Sequence, residues 1–463
     1  MGRISLTIAC IAWGSLASSA CGRIGFESVE AGGGAIGDGV DPDAGIGMDA
    51  VSGGGGGGGT GSTGGGDGSG SIDGPGTDSG GVADGGVDAV ADGGDGGGDA
   101  AMDSPRDAGG VQFNDDWLHP DWAYRKRMTI GHAGVPDADQ ANFPVVVASV
   151  SADWMGPGLG HVEQDDGGDF VFTLDDGTTR LDHEIERYVP ATGGLVAWVK
   201  VPLLSACADT VVYVYYGNAG GGDQWNAAAT WDGGGDNHFR GVWHMQASGL
   251  TDRPDSSGNG NHATPQGYDG DEATEGKLAG ADSLDGVDDE LNAGQGESLN
   301  IRDALTMSIW VNLPARPAKD KWFNGPWKAG SYSLYIAGIA DDVTQLGTFW
   351  GIDDTGNDLW NEGVANVPPA VWTHLALTYD GIDLRSYVNG QLDFTKSLPG
   401  TIDDSSGVDL TVSRKEGGAG NFDGIIDEMR VSSVARSPEW LATCVNNQRD
   451  PASFYTLGAE EPR

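Results

Sequence analysis

The chain has 463 residues, enough for two or three domains, and 25 Lys and Arg stand against 69 Asp and Glu, a formal net charge of -44. That balance excludes a nucleic-acid partner, because no basic footprint exists to release counterions, and it sets the chain against anionic membrane surfaces. It favours solubility, and surplus carboxylates suit divalent cations outside the cell, calcium above all.

Residues 1–20 read as an export signal, with Arg3 as a minimal positive start and an apolar stretch from Ile4 to Leu16. That stretch is too short to span a bilayer, which takes roughly 20 apolar residues. The following "SLASSAC" ends in small residues, and its "SSAC" resembles a lipobox, with Ser18 where Leu is usual. The resemblance implies a lipoprotein cut before Cys21, with the lipid on its thiol. Processing by an ordinary signal peptidase after Ala20 is the second reading.

Residues 21–112 form a tether. Positions 31–110 hold 33 Gly and 14 Asp, one basic residue (Arg106), and no Phe, Trp or Tyr. Such a segment cannot bury enough apolar surface to offset chain entropy, so disorder is expected. A Gly-rich coil of this length spans roughly 50 Å end to end. Its glycine runs are not phosphate loops, since no strand precedes them, no helix follows and no Lys is present.

Composition changes at "VQFNDDWLHPDWAYRKRMTIG". From 113 to 235, short alternating runs such as "FPVVVASV", "GLVAWVKVPL" and "TVVYVYYGN" are bounded by Gly, Asp, Asn or Pro, which predicts an all-β sandwich. The segments "WAYRKRMTI", "GGDFVFTLDDGTTRLDHEIERY" and "GGLVAWVKVPLLSACADTVVYVYYGN" resemble the DUF2341 module of exported bacterial proteins. That resemblance implies a β-rich surface module and no defined chemistry.

Residues 236–463 continue in short strands, with "VNGQ" at 388–391 as an Asn-Gly hairpin turn. Regular turns over some two hundred residues predict a two-sheet jelly roll. "DSSGNGNHA", "SLDGVDDEL", "MSIWVN", "WTHLALTYDG", "YVNGQ" and "FDGIIDEMRVSSVARSPEWL" occur in the order of a concanavalin A-like LamG jelly roll, which this part resembles. The fold class expected is therefore all-β, two β-sandwich modules behind a disordered Gly/Asp-rich linker.

Enzyme chemistry finds little support. "DHEIER" at 182–187 invites comparison with the zinc motif H-E-x-x-H, but Arg187 stands where the second His is needed; Glu184 and Glu186 then read as a solvated strand face. The E-x-D-x-x-E carboxylate array of glucanases is missing, and no G-x-S-x-G elbow occurs. In "GNFDGIIDEMRVSSVARS" strict strand alternation puts Asp427 with Ile425, Met429 and Val431 on an apolar face, and Glu428 with Arg430 in solvent. Asp427 then needs a cation or several donors.

One such cation is calcium. Asp255, Ser257 and Asn259 alternate ahead of Gly260, like the first half of an EF-hand loop, and with Asp427 they make a candidate site. The alternative is an Asx-stabilised turn. For ligand stacking the candidates are Trp322, Trp327, Trp350 and Trp360, set in Gly/Asp/Asn-rich surroundings, whereas Trp310, Trp372 and His374 read as packed strand residues. Cys207 and Cys444 either form a disulfide or stay as two buried thiols. The functional expectation is a non-enzymatic binding protein of the Gram-negative outer membrane or cell surface. It would recognise a polysaccharide or a surface protein. A hydrolase on the same scaffold and a purely structural adhesin are the alternatives.

Overall fold

The computed structural model describes residues 117–463 apart from 232–236, 247–248, 341, 353–358 and 414–419, and these residues fall within one compact unit. The export signal, Cys21 and nearly all of the tether lie outside the described residues. The described chain is all-β, built from antiparallel strands in four sheets.

The first module packs two sheets face to face. One joins Gln140–Val150, Gly194–Leu204 and His183–Val189; the other joins Tyr455–Pro462, Tyr124–Ile130, Thr210–Tyr216, Val171–Leu174 and Arg180–Leu181, in that order. Met128, Phe143, Val145, Trp154, Phe172, Val199 and Val214 fill the space between them. The strand Tyr455–Pro462 comes from the far end of the chain. It was expected in the jelly roll, yet it pairs with Tyr124–Ile130, and Arg125 Nε donates to Glu461 Oε2 at 2.7 Å.

The second module is the jelly roll. Its eight-stranded sheet runs Ala273–Glu275, Gly280–Asp285, Asp423–Ser432, Leu305–Asn312, Thr373–Tyr379, Asp383–Val388 and Gln391–Ser397, with Phe239–Trp243 also paired to Asp423–Ser432. The seven-stranded sheet runs Leu359–Asn366, Val343–Trp350, Tyr332–Ala340, Trp322–Lys328, Leu410–Val412, Glu290–Asn292 and Thr264–Gln266. Leu305, Met307, Ile309, Leu334, Ile336, Leu375 and Met429 meet between them. The expected hairpin forms at Asn389 and Gly390, whose φ angles of 51° and 75° suit the primed turn that Asn-Gly favours.

The closing strand Asp423–Ser432 departs from strict alternation. Asp427 pairs with Trp310 and Arg430 with Ser308, so Glu428 and Met429 both oppose Ile309. This is a β-bulge, and Glu428 carries its strain as a φ of 52°, uncommon for a non-glycine residue. The extra residue shifts the side-chain phase. Ile426, Met429 and Val431 enter the core, while Asp427, Glu428 and Arg430 turn to the sheet's outer face. The expectation of Asp427 on the apolar face and Glu428 in solvent is thus corrected. Both acids are buried, at 0% and 1% exposure, because the outer face is covered as well.

Helix Pro438–Arg449 helps to cover that face. Ser437 caps it by accepting from Trp440 N, and Pro438 opens its first turn. Trp310 Nε1 donates to Gln448 Oε1 at 2.6 Å. On the helix's other side Asn447 treats an edge strand as a neighbouring strand would. Its Oδ1 accepts from Val146 N at 2.7 Å and its Nδ2 donates to Val146 O at 3.1 Å. Asn447→Ala should therefore leave two buried backbone groups without partners and cost about 2–4 kcal/mol. Chemical denaturation checks this: an unchanged midpoint would show that the helix does not bind the two modules together.

Candidate functional site

Of the places where the described residues bring polar side chains together, two bear on function. The first is a cleft of about 510 Å³ on the outer face of the seven-stranded sheet, lined by Asp320, Lys321, Trp322, Tyr335, Ala337, Gly338, Ile339 and Glu362. Strand register explains the grouping. Trp322 pairs with Ala337, Tyr335 with Gly347, and Gly347 with Glu362, while the alternate residues Leu334, Ile336 and Leu346 point into the core. A Cβ at Gly347 would come within 2.1 Å of the Tyr335 ring, so glycine lets that ring lie against the sheet. Burial, with the Glu362 charge behind it, holds the Tyr335 hydroxyl protonated. Trp322 is half-buried, and Asp320, Lys321 and Glu362 are exposed around it.

Of the three singled-out tryptophans whose side chains are described, only Trp322 lines this cleft. Trp350 is fully buried in the jelly-roll core against Tyr379, their rings 5.2 Å apart. It lies in a strand rather than a loop, and strand phase turns it inward. Trp327 is also buried, at 7% exposure. The side chain of Trp360 lies outside the described residues. Sequence reading missed Tyr335 and Glu362, because only cross-strand register places them beside Trp322.

The segment proposed for calcium is a closed turn. The Asp255 carboxylate accepts from Val242 N, Ser257 N and Asn261 N at 2.9–3.0 Å. Ser257 Oγ accepts from Asn259 Nδ2 at 3.0 Å, and Gly258 and Gly260 take positive φ. Asp427 has other partners, its Oδ2 accepting from Lys277 N at 2.7 Å and Leu278 N at 3.2 Å. Among the described residues, the groups of His, Cys, Asp and Glu that close within 4.8 Å include neither Asp255 nor Asp427. Cys444 is a buried free thiol on helix Pro438–Arg449, so the bond to Cys207 is not formed; burial pushes the Cys444 thiol up to about 11.

The second place is the buried seam between the modules. Glu184 and Glu186 stand on the strand His183–Val189, where Glu186 is the extra residue of a second bulge between Ile185 and Arg187. His244 follows the strand Phe239–Trp243. Glu428 and Arg430 come from the closing strand. His244 Nδ1 lies 2.8 Å from Glu428 Oε1 and 3.7 Å from Glu186 Oε2, and its Nε2 lies 3.3 Å from Glu184 Oε2. Arg430 Nη2 donates to Glu428 Oε2 at 2.5 Å, and its guanidinium stacks on Trp198 and Trp231. Ser256 Oγ and Trp231 Nε1 donate to Glu184, and Trp198 Nε1 donates to Glu186 at 2.8 Å.

The charges divide by neighbourhood. Burial would raise Glu428 and Glu184, but His244, joined by Arg430 at Glu428 and by Ser256 and Trp231 at Glu184, outweighs it and keeps both below the usual carboxylate range. Burial would lower His244, yet Glu428, Glu184 and Glu186 hold it well above an ordinary imidazole. Burial and then the Glu428 charge push Glu186 up to about 8 and carry Asp427 well above its ordinary value. The expectation that Glu184 and Glu186 form a solvated face is corrected: their side chains are 10% and 1% exposed, because the jelly roll covers that strand. His374 is a packed strand histidine, 2% exposed and pushed down to about 3 by burial and Arg430.

Family models match both modules. Residues 166–242 match the domain of unknown function DUF2341, and residues 285–442 match the concanavalin A-like lectin/glucanases superfamily. The chain carries a DUF2341 domain followed by a concanavalin A-like domain. Glu184 and Glu186 lie in the first match and Glu428 in the second, whereas His244 falls between them. No curated protein matches the chain.

Solved structures similar to the chain include domain 4 of AbnA, a GH43 extracellular arabinanase from Geobacillus stearothermophilus, in complex with arabinotriose. It is 22% identical at a TM-score of 0.36, over 45% of this chain and 98% of that one. The binding domain of Paraclostridial Mosquitocidal Protein 1 is 16% identical at a TM-score of 0.37, over 46% of this chain and 52% of that one. A SAP-like pentraxin from Limulus polyphemus is 13% identical at 0.25, over 32% and 73%. The chain spans about half the length of the mosquitocidal binding domain.

Arg430→Met tests the seam. It leaves Glu428 buried without its guanidinium, and breaking a buried pair from one side costs about 3–5 kcal/mol. Tryptophan fluorescence during denaturation reports the loss directly, since Trp198 and Trp231 stack on the guanidinium. A loss below ~1 kcal/mol would show that the pair is not the neutralising contact.

Proposed function

We propose that the chain is a surface-held binding protein whose concanavalin A-like domain takes a glycan in the cleft around Trp322. The observation that carries this reading is the pairing of a half-buried indole and Tyr335 with the exposed Glu362, Asp320 and Lys321 in one opening. An apolar ring face suits the C–H face of a sugar, and a few placed polar groups suit its hydroxyls. Position supports it too. The outer face of the eight-stranded sheet is occupied by the DUF2341 domain and helix Pro438–Arg449, which leaves the seven-stranded sheet to meet a partner. Recognition without turnover is the reading, because the glucanase carboxylate array is missing from the sequence. Lipid on Cys21 would hold the chain at the outer membrane or cell surface, and the Gly/Asp-rich tether would carry the two domains outward.

A glycan array at millimolar calcium tests the ligand class, and no hit would remove the glycan reading in favour of a protein partner. On a positive glycan, Trp322→Ala should weaken binding at least about tenfold, ~1.4 kcal/mol, with the melting temperature unchanged. Equal affinity in the variant would move the site elsewhere. For the anchor, Cys21→Ser should shift the chain from the membrane fraction to the soluble fraction. If the wild type is soluble as well, the chain is secreted rather than lipid-held.

A further inference from the structure

The strand carrying "DHEIER" turns His183 to the backbone carbonyls of Leu181 and Phe170 and offers Glu186 to a different constellation. His244 and Glu428 arrive from two other strands and meet Glu186, with one ligand atom from each lying within 4.8 Å of the others. Glu186 is only 1% exposed at its side chain; its Oε2 lies 3.7 Å from His244 Nδ1, and its buried Oε1 has no hydrogen-bond partner. We propose that Glu186, His244 and Glu428 form a binding site for one divalent transition-metal ion of the zinc class, set between the two domains.

The surrounding bonds have the arrangement that such a site requires. Metal-bound histidines hand their second ring nitrogen to a carboxylate or carbonyl, which fixes the tautomer. Here His244 Nε2 lies 3.3 Å from Glu184 Oε2, leaving Nδ1 towards Glu428 and Glu186. Glu184 is itself fixed by Ser256 and Trp231. Glu428 gives one oxygen to Arg430 and keeps the other on the His244 side, and Trp198 orients Glu186. One imidazole with carboxylates favours zinc or its neighbours over calcium, which prefers oxygen alone.

Charge selects a divalent ion. Ionised Glu184, Glu186 and Glu428 carry three negative charges, Arg430 returns one, and a divalent ion with neutral His244 supplies the other two. All these side chains are buried, hence the ion enters while the domains close, during folding.

The test uses the full chain, denatured, stripped with chelator and refolded with or without one equivalent of zinc. After dialysis, elemental analysis should find about one zinc per chain, and loaded protein should melt higher than protein refolded with chelator. Glu186→Gln removes a ligand charge but keeps a neutral group of the same shape. It should fold and melt like the metal-free wild type and retain less than about a tenth of the zinc. Cobalt in place of zinc should give visible absorption bands in the wild type alone. Wild type that retains no stoichiometric ion would overturn the proposal, and so would Glu186→Gln retaining as much zinc as wild type.

Discussion

Four carboxylates meet where there is almost no water, and the rest of the molecule is arranged around neutralising them. Glu184 and Glu186 come from the DUF2341 domain, Asp427 and Glu428 from the closing strand of the concanavalin A-like domain, and His244 from the chain between the two family matches. An isolated carboxylate in such a place would cost several kcal/mol. Arg430 and His244 neutralise Glu428 and Glu184, while burial and the Glu428 charge raise Glu186 and Asp427 above the ordinary carboxylate range. Neither domain holds all of these groups, so the electrostatics of each closes only against the other.

The backbone carries the cost of this arrangement. Both strands that supply the key acids are bulged at the residue concerned, Glu186 in one and Glu428 in the other. A bulge adds one residue without a partner and turns its side chain to the face where it is needed. The ends of the seam are then tied by chain that returns late: helix Pro438–Arg449 lays Asn447 on the Val146 edge, and Tyr455–Pro462 completes the sheet of the first domain. Once the eight-stranded sheet is covered in this way, the open cleft around Trp322 lies on the other sheet.

Much of the fold was legible in the sequence, because strand alternation, turn residues and hairpin chemistry are local. The Asn-Gly turn at 389–390 and the order of strand-like segments led to a two-module all-β chain with a jelly roll second. The site was less legible, and for a physical reason. A period-two reading assigns faces correctly only up to a bulge: Met429 and Val431 enter the core as read, and across the bulge the assignments of Ile426 and Asp427 are inverted. Burial of Glu184 and Glu186 could not be read from their own strand, since it is imposed by a domain that follows. His244, in "VWHMQ", carries no local mark of its role. One signal was present: acids in apolar strand runs, "DHEIER" and "GIIDEMR", occur in both domains, and two such strands can satisfy each other. Trp350 misled because tryptophan in a Gly-rich context suits a loop and a buried strand end equally.

The central claim is that the two domains share one buried network and fold as one body. Differential scanning calorimetry of the intact chain tests it most directly. The account predicts a single transition whose calorimetric and van't Hoff enthalpies agree. Two separable transitions, one for each domain, would contradict it.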